Sequence, residues 1–378
     1  MPQKTSEPVE NASAFKHWIN KQLLVKMADA LVSADASFNK KALIALEKDL
    51  LPLELKPRVQ KISTTLKDLL PSDYVKALRI LVKSLDKSSL SGFDLWPYTE
   101  FVQTYGLDHF KESMNALYLL TQKFTAEFAV RPFIAQDPSA SYKLLKIWAQ
   151  DKNHHVRRLS SEGSRPRLPW GLRLKDAVQD PSAGLEILEL LKFDPELYVR
   201  KSVANHLNDI SKDHPDMVLK TLKSWQKQVQ TEDHQQRLDW IQKQALRSLI
   251  KQGYKPALKH VGSAHGAKVR LSNFSLDKKT YKVGDSIQIH FELHSTTNKA
   301  QNLIVDYIVH YMKSNKTTSP KVFKLKSFKI DGNKSVNIQK KHSLKPVTTR
   351  KLYPGNHRIE IQVNGQVLGQ LSWVLRNS

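Results

Sequence analysis

QDPSASYKLLKIWAQDKNHHVRR, residues 136–158, and QDPSAGLEILELLKFDPELYVRK, residues 179–201, decide how the first two-thirds of this chain is read. Gln136-Asp137-Pro138 returns as Gln179-Asp180-Pro181, a separation of 43 residues. Asp151, Val156 and Arg157 return as Asp194, Val199 and Arg200 at the same separation. A third copy near RLDWIQKQALRSLIKQG is displaced by one or two residues. A period of about 40–47 residues with two helices per unit is the signature of HEAT-like repeats, which stack into a curved solenoid with a concave face. The Asp-x-x-x-x-Val-Arg element is expected to open the second helix of each unit. Its valine should pack inward and its arginines line the inner surface. Such solenoids bind protein more often than DNA, so the repeat alone leaves function open.

Outward from these copies, the first 260 residues read as helical. Apolar residues recur at spacings of three and four, as in Leu78, Leu81, Val82 and Leu85 or Leu144, Leu145 and Trp148. From about His265 the texture changes to alternation with turn signals. Ile287, Ile289, Phe291 and Leu293 face one side of a strand. LIVDYIVHYM, VFKLKSFKI, SVNIQKKHSL, HRIEIQVNG and VLGQLSWVL follow. Seven or so short strands in about 110 residues indicate an immunoglobulin-like sandwich. The expected organisation is therefore a disordered 1–14, an all-α HEAT-like domain over 15–260, a linker at 261–267 and an all-β sandwich over 268–378.

The chain has 378 residues, no cysteine and a formal net charge of +24. Without cysteine there is no disulfide scaffold, iron–sulfur cluster, thiolate zinc site or cysteine nucleophile. No apolar stretch approaches the length of a membrane span, and MPQKTSEPVENASAF has no signal core. A cytoplasmic, nucleoid-associated location is expected. The positive excess points to a polyanion, with nucleic acid ahead of an anionic membrane and of mere solubility. Residues 265–378 hold 20 Lys and Arg against 6 Asp and Glu, a net of +14, which leaves +10 for the rest. The sandwich therefore reads as a module that grips a phosphate backbone. The competing reading is a soluble sandwich whose lysines blunt its edge strands.

Phosphate loops, Gly-x-Gly-x-x-Gly, His-Glu-x-x-His and Gly-x-Ser-x-Gly are all absent from the sequence. His154 and His155 point about 100° apart on a helix and make a poor metal pair. Three segments carry candidate chemistry. In NALYLLTQKFTAEFAVRP, residues 115–132, Glu127 sits in what reads as an apolar helix, either paired structurally or functional. NHHVRRLSSEGSRPRLPWG, residues 153–171, packs Arg157, Arg158, Glu162, Arg165, Arg167 and Trp170 into a short span. Arg158 and Glu162 share a helix face, and Gly163 and Pro166 end that helix. Arginine forks suit phosphate and an aromatic face suits a cation, so these residues fit a phosphodiester and its sugar. An Arg–Glu network that buttresses a repeat junction is the equal alternative. In YVRKSVANHLNDISKDHPD, residues 198–216, Asn205, Asn208 and Asp209 lie opposite Val203, Leu207 and Ile210. One repeat on from Glu162, Asp209 is expected to converge with it.

FTAEFAVRPF, HHVRRLSSEGSRPRLPWG and VRKSVANHLNDISKDHPD resemble the AlkC branch of the alkylation-repair DNA glycosylases. The resemblance runs from about Phe15 to residue 260 and includes FDLWPYTEFVQTYGLDHF. Some members of that family carry a C-terminal immunoglobulin-like domain. The resemblance implies a monofunctional glycosylase in base excision repair that removes cationic alkylated bases (3-methyladenine, 3-methylcytosine and 1-methyladenine) from duplex DNA without flipping them. Glu127, Glu162 and Asp209 would be its catalytic carboxylates and Trp170 would face the deoxyribose. Arg158 and Arg165 would support the site and the backbone. It needs no metal or cofactor and is expected to act as a monomer. The competing expectation is a HEAT-repeat scaffold that binds damaged or branched DNA without catalysis. A third is a protein–protein scaffold.

Overall fold

A computed structural model describes residues 15–376 other than Lys87, His265, Thr348 and Thr349. The segment expected to be disordered, 1–14, lies outside the described residues. Contacts divide the chain into two compact units. The first runs to Asp213 and adds Val229–Ile241; the second comprises His214–Gln228 and residues from Gln242 onward.

The first unit is helical. Its helices are α1 (Lys21–Ala34), α2 (Lys40–Ala45), α3 (Glu47–Leu50), α4 (Leu55–Leu69), α5 (Tyr74–Lys83), α6 (Trp96–Tyr105), α7 (Phe110–Thr121), α8 (Arg131–Gln136), α9 (Pro138–Trp148), α10 (His154–Gly163), α11 (Lys175–Gln179), α12 (Ser182–Leu191) and α13 (Leu197–Ile210). The 43-residue repeat is structural. α9 packs on α10 and α12 on α13, while across the repeat α9 meets α12 and α10 meets α13. Asp137 opens its unit by accepting from the Ala140 amide at 3.0 Å, and Asp180 accepts from Ser182 at 3.0 Å.

The Asp-x-x-x-x-Val-Arg element closes the loop between the two helices of its unit. Asp151 accepts from the Asn153 amide at 2.7 Å, and Asp194 from that of Glu196 at 2.8 Å. Arg157 Nη1 donates to the carbonyls of Asp151 and Lys152, as Arg200 Nη1 does to those of Asp194 and Pro195. Val156 and Val199 are buried, as the pattern required. The arginines do not line an inner surface as expected. Their Nη1 groups turn back to satisfy carbonyls of the loop that precedes the helix.

The second unit joins helices to a sandwich. It holds α14 (Pro215–Lys227), the end of α15 (Glu232–Ala245), α16 (Arg247–Lys251) and α17 (Lys255–His260). Eight strands follow among the described residues: β1 (Val269–Leu276), β2 (Thr280–Lys282), β3 (Ser286–Ser295), β4 (Gln301–Met312), β5 (Thr318–Ile330), β6 (Ser335–Ser343), β7 (Gly355–Val363) and β8 (Gln366–Arg376). They form a β1-β3-β6 sheet and a β2-β8-β7-β4-β5 sheet, antiparallel except for β2 beside β8. Alternation along β3 buries Ile287, Ile289, Phe291 and Leu293 against Val305, Val309, Ile359, Ile361 and Trp373. Each such buried side chain contributes roughly 1.5–3 kcal/mol of transfer free energy.

The stretch expected to be a plain linker is seated on the sandwich. Asn302 Nδ2 donates to the Gly262 carbonyl at 3.1 Å, and Asn364 Nδ2 to that of Ala264 at 2.8 Å. Gln362 Nε2 reaches the Lys251 carbonyl at 3.1 Å. Gly253 and Gly365 both have positive φ and meet backbone to backbone, so that a Cβ on Gly253 would fall 2.8 Å from the Gly365 carbonyl oxygen. No helix among the described residues is long and apolar enough to cross a membrane.

Candidate active site

The three segments singled out in the sequence meet around two arginines. α10 ends at Gly163, where a Cβ would come within 2.5 Å of Val130 Cγ1. That close approach brings the 125–131 turn against the end of α10. Arg165, just past the helix, carries the centre of the network. Its Nη1 donates to Glu162 Oε1 at 2.6 Å, its Nε to Asp209 Oδ2 at 2.9 Å, and its Nη2 lies 2.8 Å from the same Asp209 oxygen. Glu162, Asp209 and Arg165 are all buried. Arg158 makes the second link. Its guanidinium pairs with Glu127 Oε2, donates to Thr125 Oγ1 at 2.7 Å and lies 3.6 Å from Glu162 Oε1. It also sits 5.0 Å from the centroid of the Tyr198 ring.

Glu127 is not on a helix, as its apolar neighbours suggested. It lies in the turn between α7 and α8, because Pro132 and the Thr125 hydroxyl favour a turn followed by a fresh helix start. The turn lets its carboxylate reach Arg158. Asp209 lies on a helix as expected, in the last turn of α13, and Lys212 Nζ approaches its other oxygen at 3.0 Å. Ser202, one helical face up, donates to Ser161 Oγ at 2.8 Å. His206 Nδ1 donates to the Ser161 carbonyl at 3.0 Å.

The protonation states follow from burial against charge. Burial pushes the Glu162 carboxyl up, but Arg158, Arg165 and the Ser202 hydroxyl outweigh it, and its pKa falls below the ordinary glutamate value. The two guanidinium groups gain more from the carboxylates than burial takes away, and both are held above their usual values. His206 goes the other way. Burial, reinforced by the positive charge of Arg165, drives it down to about 3, so it is neutral at physiological pH.

The other candidates divide. Trp170 stands 70% exposed, with a φ of 65° that is rare for a bulky residue. Lys56 Nζ, from α4, holds its carbonyl at 2.7 Å. Arg157 is not part of the cluster. It forks onto Asp194 at 2.6 and 3.1 Å across the repeat junction. Arg167 forks onto Asp213 at the exposed edge, at 2.7–3.0 Å. The rings of His154 and His155 meet at a tilt of 40°, with centroids 4.2 Å apart.

Sequence reasoning missed Arg131 and Lys56. Arg131 is fully buried and donates to the carbonyls of Gly163, Arg165 and Leu172 at 2.6–2.8 Å, which fixes the loop that carries Trp170. Burial lowers its pKa to about 10. An arginine directly before a helix-starting proline was the available signal. Lys56 had none, lying 114 residues from Trp170.

Residues 123–249 match the family model described as DNA alkylation repair enzyme, and residues 270–377 match that of the YhaZ C-terminal Ig-like domain. YhaZ of Bacillus subtilis (strain 168), an uncharacterised protein, is 38% identical over 95% of this chain and 98% of its own length. The structure of the Pseudomonas fluorescens alkylpurine DNA glycosylase AlkC, bound to DNA containing an abasic site analogue, superposes with a TM-score of 0.89. It is 38% identical, with 96% of this chain and 99% of that one covered. The chain belongs to the AlkC family.

In this AlkC-family chain three carboxylates meet two guanidinium groups. Three acids, Glu127, Glu162 and Asp209, share Arg158 and Arg165, so one negative charge is in excess before the half-exposed Lys212 is counted. The arrangement can present fixed negative charge to a developing cation.

Proposed function

We propose that this chain is a monofunctional DNA glycosylase of base excision repair. It hydrolyses the N-glycosidic bond of cationic alkylated bases, 3-methylcytosine, 1-methyladenine and 3-methyladenine, in duplex DNA. The observation that carries this reading is the joining of Glu127, Glu162 and Asp209 through Arg158 and Arg165. A protein that only grips phosphate has no use for three carboxylates at one point.

A base that already bears a positive charge leaves without a general acid. Its glycosidic bond opens toward an oxocarbenium ion, as in glycoside hydrolysis. Carboxylates held in place by the two arginines stabilise that cation, and one of them orients the attacking water. The exposed Trp170 ring lies against the deoxyribose and adds cation–π attraction. Chemistry at the sugar leaves no need to extrude the base into a deep pocket. The +14 sandwich adds grip on the backbone. The protein acts as a monomer without metal or cofactor.

The test is excision from duplexes with a single 3-methylcytosine, 1-methyladenine or 3-methyladenine, followed by alkali. Strand breaks at the lesion are expected, reduced at least about a hundredfold in Asp209→Asn and Glu162→Gln, as when a transition-state electrostatic partner is lost. DNA affinity should be retained. Intact strands on all three lesions would leave a DNA-binding scaffold without catalysis.

A further inference from the structure

A cavity of about 310 Å³ opens beside Trp170, lined by Lys56, Trp96, Glu100, Gln103, Phe128 and Leu172 among others. None of Trp96, Glu100 and Gln103 takes part in the chemistry proposed above. The Phe128 ring stacks on Trp96 at 6.0 Å between centroids and 24° between planes. Trp170 stands at the rim. Glu100 faces the cavity with Gln103 Nε2 donating to its carboxylate at 2.5 Å. Burial raises the Glu100 carboxyl despite the Gln60 and Gln103 amides and Lys56. Aromatic walls with a few convergent hydrogen-bonding groups, near the lower end of about 300–1,000 Å³, make a site for a small planar heterocycle.

We infer that this cavity binds the free alkylated nucleobase after it leaves the sugar. The inference rests on the proposed glycosylase reading. Two residues tie the cavity to the carboxylate segments: Trp170, in the loop that Arg131 holds to the Gly163 and Arg165 carbonyls, and Phe128, which follows Glu127 in the turn. Cleavage converts a cationic nucleotide base into a neutral free base, because the glycosidic electron pair stays with its ring. A neutral ring is compatible with the ammonium of Lys56 at the cavity wall. Its amino edge donates to Glu100, and its face meets Phe128 and Trp96. The base leaves the duplex only after the bond is broken, which keeps this step apart from base flipping.

The full-length protein without DNA, titrated with free 3-methyladenine by calorimetry, is expected to bind it at one saturable site. Gln103→Ala and Glu100→Gln should each weaken binding about tenfold, on the order of one lost hydrogen bond. Single-turnover excision by Gln103→Ala should match the parent, and added 3-methyladenine should slow multiple turnover less in the variant. Thermal melts of the variants report folding separately. No saturable binding of the free base by a protein that excises it would overturn the inference, as would binding that both variants leave unchanged. A protein that binds the free base through these residues yet excises nothing would overturn the glycosylase reading and leave this site standing.

Discussion

Arg165 shows what one side chain does here. It spans Glu162 and Asp209 with three of its nitrogens, and no other residue type offers a planar fork of that reach. Arg165→Met should leave buried Glu162 only the 3.6 Å approach of Arg158 and buried Asp209 only Lys212, and destabilise the fold by about 3 kcal/mol, read as a lower urea midpoint at unchanged slope. Arg165→Lys should recover little of this, since an ammonium cannot pair both acids in the same geometry. His206 supplies a pH test. Its folded pKa of about 3 lies below the ordinary 6.5, so between those values the unfolded chain holds more protons than the folded one. Stability should therefore fall on acidification below pH 6.5, by up to about 1.4 kcal/mol for each pH unit, until the folded value is reached. Urea unfolding at pH 7 and pH 5 should show a smaller acid loss in His206→Gln. Equal losses in both proteins would place the acid sensitivity elsewhere.

At the scale of elements, α10 and α13 are legible in the sequence alone. Their 43-residue offset and their apolar spacing mark two corresponding helices, and although Asn205 rather than Asp209 stands at that offset from Glu162, both acids fall in the last turn of their helix. The turn carrying Glu127 was not legible, because the apolar residues around it have the same spacing in a helix as in a tight turn packed on a core. β4 contains a residue that works against its own strand. Asp306 is 2% exposed, and burial raises its carboxyl to about 6 despite Lys251 and Lys324. A carboxyl whose folded pKa is raised costs stability as pH climbs from about 3.9 through 6. Asp306→Asn should therefore stabilise the protein at pH 7 by about 1–3 kcal/mol and do little at pH 4, measured by chemical denaturation at both values.

At the scale of the whole molecule, charge is divided unevenly between regions of different chemistry. Residues 265–378 carry +14 of the +24. In the proposed function this excess holds phosphate, and removing residues 268–378 should weaken DNA binding and flatten the dependence of log K on log salt. An unchanged slope in titrations over a range of salt would show that the excess lies away from DNA. Contacts place α14, α16 and α17 with the sandwich, although their sequence texture is that of the helices before them. A linear reading follows texture. Backbone meetings such as Gly253 with Gly365 follow space.

The sequence by itself determined the helical repeats, the sandwich and the residues worth testing, because period and residue type are local properties of a chain. Only the tertiary structure decided which arginines serve the carboxylates. Arg157 and Arg158 are neighbours in sequence, yet one seals a repeat junction through Asp194 and the other binds Glu127. Lys56 reaches Trp170, and Arg131 reaches three loop carbonyls, across spans that no spacing encodes. The partner of a long charged side chain is set by which surfaces packing brings within its reach.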